Sequence, residues 1–496
     1  PVLTLELSLV DDSNDNYNNS SNTDRGETYE PRDMWELTKD LALANTATTR
    51  HSNDENVVSS ASESDEENED PATAMRRRFY SPETPIYSTA VVVPDTREMQ
   101  KLRDMKKKLY FEDMDPESKW LAWAFGPYLR CDPEALLYFL RTVDWSNPAD
   151  CRYAKELMYT WAPLPLEAML LLMSKTYPSR HVFEYAVGRL RREANEDFLV
   201  TYMPQLVWAL SPADACGSSL FREFMMEKVC ASPVLGWLFK VYIKQLKDTP
   251  FRKAYDEFII KSSKDEIDPL EDLVRELEVI AKKVKEKKNV EEAKVLAKSL
   301  VFGEKMNEIL AKKPRLPIDP RYIIESVKED SVEESSVKVF DSNNKPIKIV
   351  FYCRKDCGKD TRASGDDSYG YECSEVEEYP IVYKVGDDMT QDVFMLQAMG
   401  VMDTLLKQNG LDMRMCLYKA LSIEDGTSST PSGIMEFVKN STTVNLMDTK
   451  KLSEFLKLDD PVAKYTAMEN LTYSDIGSSV ITYVLGVGDR HMDNIL

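Results

Sequence analysis

No run of apolar residues in the chain approaches the about 18 that a membrane-spanning helix needs. The longest, near residues 168–173, falls inside an amphipathic helix pattern. Any membrane contact is therefore expected to be peripheral. There is no disulfide framework either: eight cysteines are scattered without an even spacing, and no N-terminal signal precedes them. Together these point to a reducing, cytoplasmic setting. Cys353, Cys357 and Cys373 form the closest group, but they are one ligand short of a structural zinc site and are read as ordinary thiols. Basic charge is scarce as well. The formal charge is −22, of which residues 1–100, with 21 acids against 8 bases, carry −13. A general nucleic-acid binder needs basic patches that dominate locally, so no nucleic-acid partner is expected. No G-x-G-x-x-G phosphate loop occurs.

What is present is enough for several domains: 496 residues, 43% of them hydrophobic. PVLTLELSLV (1–10) alternates as a strand does. Residues 11–24 and 51–71 are too polar to offset the entropy of ordering and are read as disordered. MWELTKDLAL (34–43), between them, is read as a short helix. Ser62 and Ser64 precede acidic residues, a pattern acidophilic kinases favour, although a solvated linker explains them as well. From about Lys101 the texture is helical. PEALLYFLRTV (133–143), PLEAMLLLMSKTY (165–177), HVFEYAVGRLRR (181–192) and EDFLVTYMPQLVWAL (196–210) carry apolar residues at three- and four-residue spacing. Short helices with brief connections predict a stack of helical hairpins, an α-solenoid with no chemistry of its own. His181 is read as a helix-start residue. AKKVKEKKNVEEAKVLAK (281–298) is read as the solvated face of one helix whose other side carries Leu273, Leu277, Ile280 and Val284.

Three prolines in PRLPIDP (314–320) end the helical texture. SSVKVF (335–340) and KPIKIVFY (345–352), joined by DSNN, predict a hairpin. The segment from Cys353 to Glu378 reads as a long polar loop. YPIVYK (379–384) alternates, so Val382 and Lys384 share a strand face. GDDMTQD leads into a helix on which Met395, Met399, Met402 and Leu406 recur at helical spacing and are read as core. GIMEFVKN (433–440) is an apolar strand, and ITYVLGVG (481–488) runs from a helix into GVGDRHMDNIL (486–496). That last string places an acid (Asp489), a base (His491) and an amide oxygen (Asn494) within six residues, the groups needed to position and deprotonate a hydroxyl and to hold Mg²⁺.

The D-R-H-x-x-N order of that string, IVYKVGDDMTQDVFMLQ (381–397) about a hundred residues upstream, and the Y-A-V and Q-L-V-x-A-L patterns of the helical part resemble the phosphatidylinositol 3-kinase family, most nearly its class III members. The resemblance implies an α+β multidomain chain, an α-helical solenoid followed by a protein-kinase-like bilobal catalytic domain truncated in the large lobe. Residues 1–10 would end a C2-type β-sandwich, 11–100 would be a largely disordered acidic linker, 101–313 the accessory helical domain, and 314–496 the catalytic domain, with its small lobe at 314–435 and the start of its large lobe at 436–496. It implies ATP as phosphoryl donor with Mg²⁺ or Mn²⁺, and transfer to the 3-hydroxyl of phosphatidylinositol. By residue it implies Ser342 near the phosphate-covering hairpin tip, Lys384 on the phosphates, Asp392 paired with Lys384 and Tyr418, Met435 at the inner end of the adenine pocket, and Glu436 and Val438 as backbone contacts to adenine. Asn494 would be the metal ligand, His491 the base and Asp489 its orienting group, with Arg490 holding the loop. The family further implies a pseudokinase-like regulatory subunit, a Beclin-type adaptor, and work on endosomal and autophagic membranes. A phosphatidylinositol 4-kinase, a protein-serine kinase of the same superfamily and an inactive kinase-fold scaffold are the alternatives. The chain starts at Pro1 rather than Met and lacks the Asp-Phe-Gly segment that would supply a second metal ligand, so a fragment inactive by itself is expected.

Overall fold

The computed structural model describes residues 91–108, 112–246, 249–262, 264–330, 335–356, 375–423, 430–439, 441 and 461–488. The strand expected at 1–10, the acidic linker to residue 90, the short helix at 34–43, Cys357 and Cys373 lie outside them. The backbone divides into two compact units, Pro1–Asn195 with Trp208–Phe224, and Glu196–Val207 with Met225–Leu496.

In the first unit, prolines set where helices begin. The helices Pro116–Ala124 and Pro148–Thr160 each start on a proline behind Asp115 or Asn147, whose side chain accepts a backbone N–H of the first turn, from Ser118 at 2.9 Å and Ala149 at 3.0 Å. Proline suits the first helical position because the N–H it lacks has no partner there in any case. The helix Thr96–Lys107 opens on a capping box in which Asp95 and Glu98 bond each other's backbone N–H. The core is aromatic: Trp123 stacks on Phe139 at 5.7 Å, Phe139 meets Trp161 at 5.2 Å, and the Trp161 indole donates to the Asp132 carbonyl at 2.7 Å. The stretch 165–177 is helical only at Ala168–Leu172, because its first turn closes with i to i+3 bonds, such as Ala168 N–H to Pro165. His181 is the second residue of the helix Arg180–Glu193, and burial, then Lys155, hold its pKa down.

The stretch 196–210, whose residues 196–207 belong to the second unit, is not one helix. It breaks into Glu196–Thr201 and Met203–Trp208, since Pro204 has no N–H to extend the first segment. The helices Pro233–Lys244, Thr249–Lys261, Lys264–Lys285, Val290–Val301 and Glu304–Leu310 follow. Leu273, Leu277, Ile280 and Val284 are buried along one side of Lys264–Lys285. The basic run 281–298 nevertheless does not lie on a single helix. It is interrupted at residues 286–289, where Asn289 caps a new helix by accepting the Glu291 N–H at 2.9 Å.

Seven antiparallel strands then form one sheet: β1 (Arg315–Leu316), β2 (Asp319–Val327), β3 (Val337–Val339), β4 (Ile347–Lys355), β5 (Glu377–Val385), β6 (Ala420–Ile423) and β7 (Ser432–Glu436), in the order β1-β2-β4-β5-β7-β6, with β3 paired to β4. β3 and β4 are the hairpin read at 335–352. The polar loop read at 353–378 is shorter at both ends than expected, because β4 continues to Lys355 and β5 begins at Glu377. β5 is buried on both faces from Tyr379 to Tyr383, so its simple alternation marked register rather than an exposed face.

Leu277 is 1% exposed and Ile260, on a neighbouring helix, 83%. Leu277→Ala is expected to destabilise the second unit by about 2–5 kcal/mol in urea unfolding, and Ile260→Ala to change it by less than about 0.5 kcal/mol.

Candidate active site

The register of three strands builds one face of the site. Lys348 in β4 lies opposite Val382 in β5, Val382 opposite Met435 in β7, and Lys384 opposite Gly433. Residues directly opposite in an antiparallel pair point to the same side, as do residues two apart along a strand. Lys348, Val382, Lys384, Met435 and Gly433 therefore share one face, with Lys384 half-buried at its end. Gly433 is required there: a Cβ would meet the side chain of Met389, with Sδ at 2.5 Å. An apolar strip ending in a half-buried ammonium fits a nucleotide, apolar against the base and cationic against the phosphates.

Beyond β7 the chain crosses from Glu436 to Lys439. The Glu436 N–H donates to the Lys419 carbonyl at 2.9 Å, and the Phe437 N–H to the Pro380 carbonyl at 3.0 Å. The Val438 N–H donates to no backbone carbonyl among the described residues. Phe437 is held from the other side by Lys348, whose ammonium sits 4.3 Å from its ring centroid, and by Phe340 at 6.5 Å.

The segment is anchored by a carboxylate that sequence reasoning missed. Asp319, at the start of β2 and 3% exposed, accepts from Lys419 Nζ at 2.5 Å and from the Arg321 guanidinium at 2.8 and 3.0 Å. Lys419 in turn donates its backbone N–H to the Glu436 carboxylate at 3.2 Å. Burial pushes the Asp319 carboxyl up, but the bonds from Arg321 and Lys419 outweigh it and hold its pKa below the ordinary carboxylate value. Tyr379 lies next to this cluster, and burial drives its phenol well above its usual value. No sequence signal marked Asp319, because its partner Lys419 is 100 positions away.

Asp392 and Tyr418 are brought together: burial, then the Asp392 charge, raise the Tyr418 pKa. Asp392 is exposed in the first turn of the helix Thr390–Gln408, and no ion pair joins it to Lys384 among the described residues. On that helix Met402 is buried, whereas Met395, Met399 and Leu406 are only half-buried, so the full methionine stripe is not core. Ser342 is exposed at the tip of the β3–β4 hairpin, with its N–H on the Phe340 carbonyl at 3.1 Å and its carbonyl accepting from Lys345 at 3.1 Å.

Asp489, Arg490, His491 and Asn494 lie outside the described residues. The helix Pro461–Leu485 that leads to them ends in a defined way. Gly486 has φ +64°, its N–H donates to Tyr483, and the Val487 N–H donates to Thr482. This is the Schellman pattern, for which a left-handed glycine is the usual residue. Among the described residues no three His, Cys, Asp or Glu side chains converge as a metal site.

Residues 92–264 match the accessory (PIK) domain of the phosphoinositide 3-kinase family, and residues 378–454 match the phosphatidylinositol 3- and 4-kinase domain. Both matched domains are those of lipid kinases, and it is this class that the chain is similar to. Within that class it is similar to phosphatidylinositol 3-kinases. It is 28% identical to phosphatidylinositol 3-kinase pik3 of Schizosaccharomyces pombe, over 78% of this chain and 48% of that protein. It is 26% identical to phosphatidylinositol 3-kinase VPS34 of Arabidopsis thaliana, over 81% and 49%, and 29% identical to phosphatidylinositol 3-kinase piki-1 of Caenorhabditis elegans, over 77% and 24%. The chain spans about half the length of the first two relatives, or less than that of the third.

Asp319→Asn is expected to destabilise the second unit by about 1–3 kcal/mol at neutral pH. That is less than the about 3–5 of a fully buried pair, because Lys419 and Arg321 keep 41% and 34% of their side chains exposed. Since the folded pKa is the lower one, the contribution is complete above the unfolded value of about 3.9 and is lost as pH falls through the folded value. Urea midpoints of the two proteins should therefore differ by a constant amount from about pH 8 to 5 and converge below about pH 4.

Proposed function

We propose that this chain is the accessory and nucleotide-binding part of a class III phosphatidylinositol 3-kinase, which transfers the γ-phosphoryl group of ATP to the 3-hydroxyl of phosphatidylinositol on endosomal and autophagic membranes. The observation that carries the reading is the register that sets Val382, Lys384 and Met435 on one face beside Glu436 and Val438. That the three relatives above are phosphatidylinositol 3-kinases supports the 3-hydroxyl over the 4-hydroxyl. On this reading residues 101–313 are an α-solenoid, 436–496 begin a large lobe, and 486–496 are its catalytic loop.

In-line transfer forms a bond from the inositol 3-oxygen to the γ-phosphorus and breaks the bond from that phosphorus to the bridging oxygen, leaving ADP. The transition state is loose, so positioning and charge neutralisation contribute most. Lys384 would hold the α- and β-phosphates and Ser342 the hairpin end of the triphosphate. Met435, Glu436 and Val438 would seat adenine. His491 would take the hydroxyl proton, its ordinary pKa lying near neutral pH; Asp489 would orient it, and Arg490 would keep the loop in shape. Asn494 would hold Mg²⁺ or Mn²⁺, which would supply charge neutralisation. A pseudokinase-like subunit and a Beclin-type adaptor are the partners this reading entails.

In the full-length protein, Lys384→Ala and His491→Ala are each expected to lower phosphatidylinositol 3-phosphate formation by more than about a hundredfold on phosphatidylinositol vesicles. Undiminished product from either variant removes that residue from the mechanism. Phosphatidylinositol 4-phosphate as the product overturns the class III reading.

A further inference from the structure

The basic run 281–298 reads as solvated, yet one of its lysines is bonded into the sheet. Lys285, the last residue of the helix Lys264–Lys285, donates from Nζ to the Asn344 side-chain oxygen at 2.7 Å and to the Val385 carbonyl at 3.2 Å. Asn344 lies in the turn of the β3–β4 hairpin, two residues from Ser342, and Val385 directly follows Lys384. Asn344 completes the brace by donating its amide to the Asp387 carboxylate at 2.5 Å, which links the hairpin turn to the first acid of GDD. Gly386 is shaped to this lysine. Its φ is +90°, and a Cβ there would lie 2.6 Å from Lys285 Nζ. The helix C-terminus also favours a cation at this place.

We infer that Lys285 is a positioning residue for the phosphate end of the nucleotide site: bonded at once to the hairpin turn and to the end of β5, it sets the spacing between Ser342 and Lys384. The inference rests on the nucleotide-binding reading above. The pairing of β4 with β5 fixes the hairpin as far as Ile347 opposite Tyr383; the three hydrogen bonds through Lys285 and Asn344 extend that constraint to the turn itself and to the residues after Lys384. A charge-assisted bond of this kind is stronger than a neutral one, and it carries the register of the helical segment to the two residues that would face the triphosphate. Asp387, which lacks an obvious task in the turn, acquires one as the acceptor that orients the Asn344 amide.

The test uses the full-length protein with Mg-ATP and phosphatidylinositol vesicles, and calorimetric binding of Mg-ADP. Lys285→Met, which keeps the length of the side chain and removes its charge, is expected to raise the ATP KM about three- to tenfold, with the lipid KM unchanged and kcat within about twofold. Asn344→Ala, a change in a half-buried turn, should do the same. The double variant should be no worse than the more affected single one, because both remove one brace. An unchanged ATP KM in either folded variant overturns the inference, as does multiplication of the two effects in the double variant. A fall in kcat or in melting temperature at unchanged Mg-ADP affinity overturns it as well, since that marks a structural role alone. Should Lys285→Met not fold, Asn344→Ala decides by the same KM criterion. A wild-type protein that binds no Mg-ADP refutes the nucleotide reading itself, whereas wild-type binding matched by both variants refutes only the role of Lys285.

Discussion

The site depends on β5 being hydrogen-bonded along both edges. β4 pairs with it from Glu377 to Tyr383 and β7 from Ile381 to Val385, so Lys384 is held through its own strand and through Gly433 opposite. A slip of one residue in either pairing would turn every side chain of the strand to the other side. Ile381 and Tyr383, almost wholly buried on the opposite face, oppose such a slip, because each would have to exchange a packed apolar environment for the nucleotide side. The position of one cation is thus secured by apolar burial on the face it does not occupy.

Helical segments of the second unit are tied to the sheet by side-chain bonds as well as by packing. The Trp237 indole donates to the Pro317 carbonyl at 2.9 Å, and Gln245 to the Ser422 carbonyl at 3.2 Å. Gln205 pairs its amide with that of Gln397 at 2.7 Å, while Gln397 also donates to the Thr201 carbonyl at 2.6 Å. These bonds explain why the boundary between compact units does not follow the change from helix to strand near residue 313. Residues 196–207 and the helices after 225 contribute to the sheet-bearing unit although their local structure is that of the segments before them. Secondary structure reports local propensity, and compact units report which surfaces are buried together, so the two divisions need not agree.

Much of the sheet was legible in the sequence because strand formation here follows local signals. Alternation in YPIVYK, the DSNN turn and the prolines of PRLPIDP each act within a few residues. The break at Pro204 was legible too, and was overlooked in favour of the apolar periodicity around it. The helix restart at Asn289 was hidden by the lysines on either side, which suit a helix so well that a capping asparagine among them attracts no notice. Asp319 and Lys285 were not legible at all. Lys285 acts through partners 59 and 100 positions away, and Asp319 meets Lys419 100 positions away besides its near neighbour Arg321; nothing in a single sequence says which distant residue a charge will meet. The burial of the methionine stripe was overstated for a related reason: periodicity predicts a face, while the extent of its burial depends on what packs against it, and for the Thr390–Gln408 helix that includes β6 and Gln205.

The end of the helix Pro461–Leu485 shows how a local signal can matter for the chain that follows. A helix whose last turn were free to fray would release the chain at 486–488 in a range of directions. The Schellman closure at Gly486 removes that freedom: with the Val487 N–H on Thr482 and the Gly486 N–H on Tyr483, the chain leaves the helix in one direction. Any residue with a Cβ at 486 would have to adopt the left-handed conformation at a cost of about 1 kcal/mol. On the proposed reading, glycine at this position would belong to the site's geometry without touching a reacting group. Like the β5 register at Lys384, it sets the course of the chain by backbone hydrogen bonds.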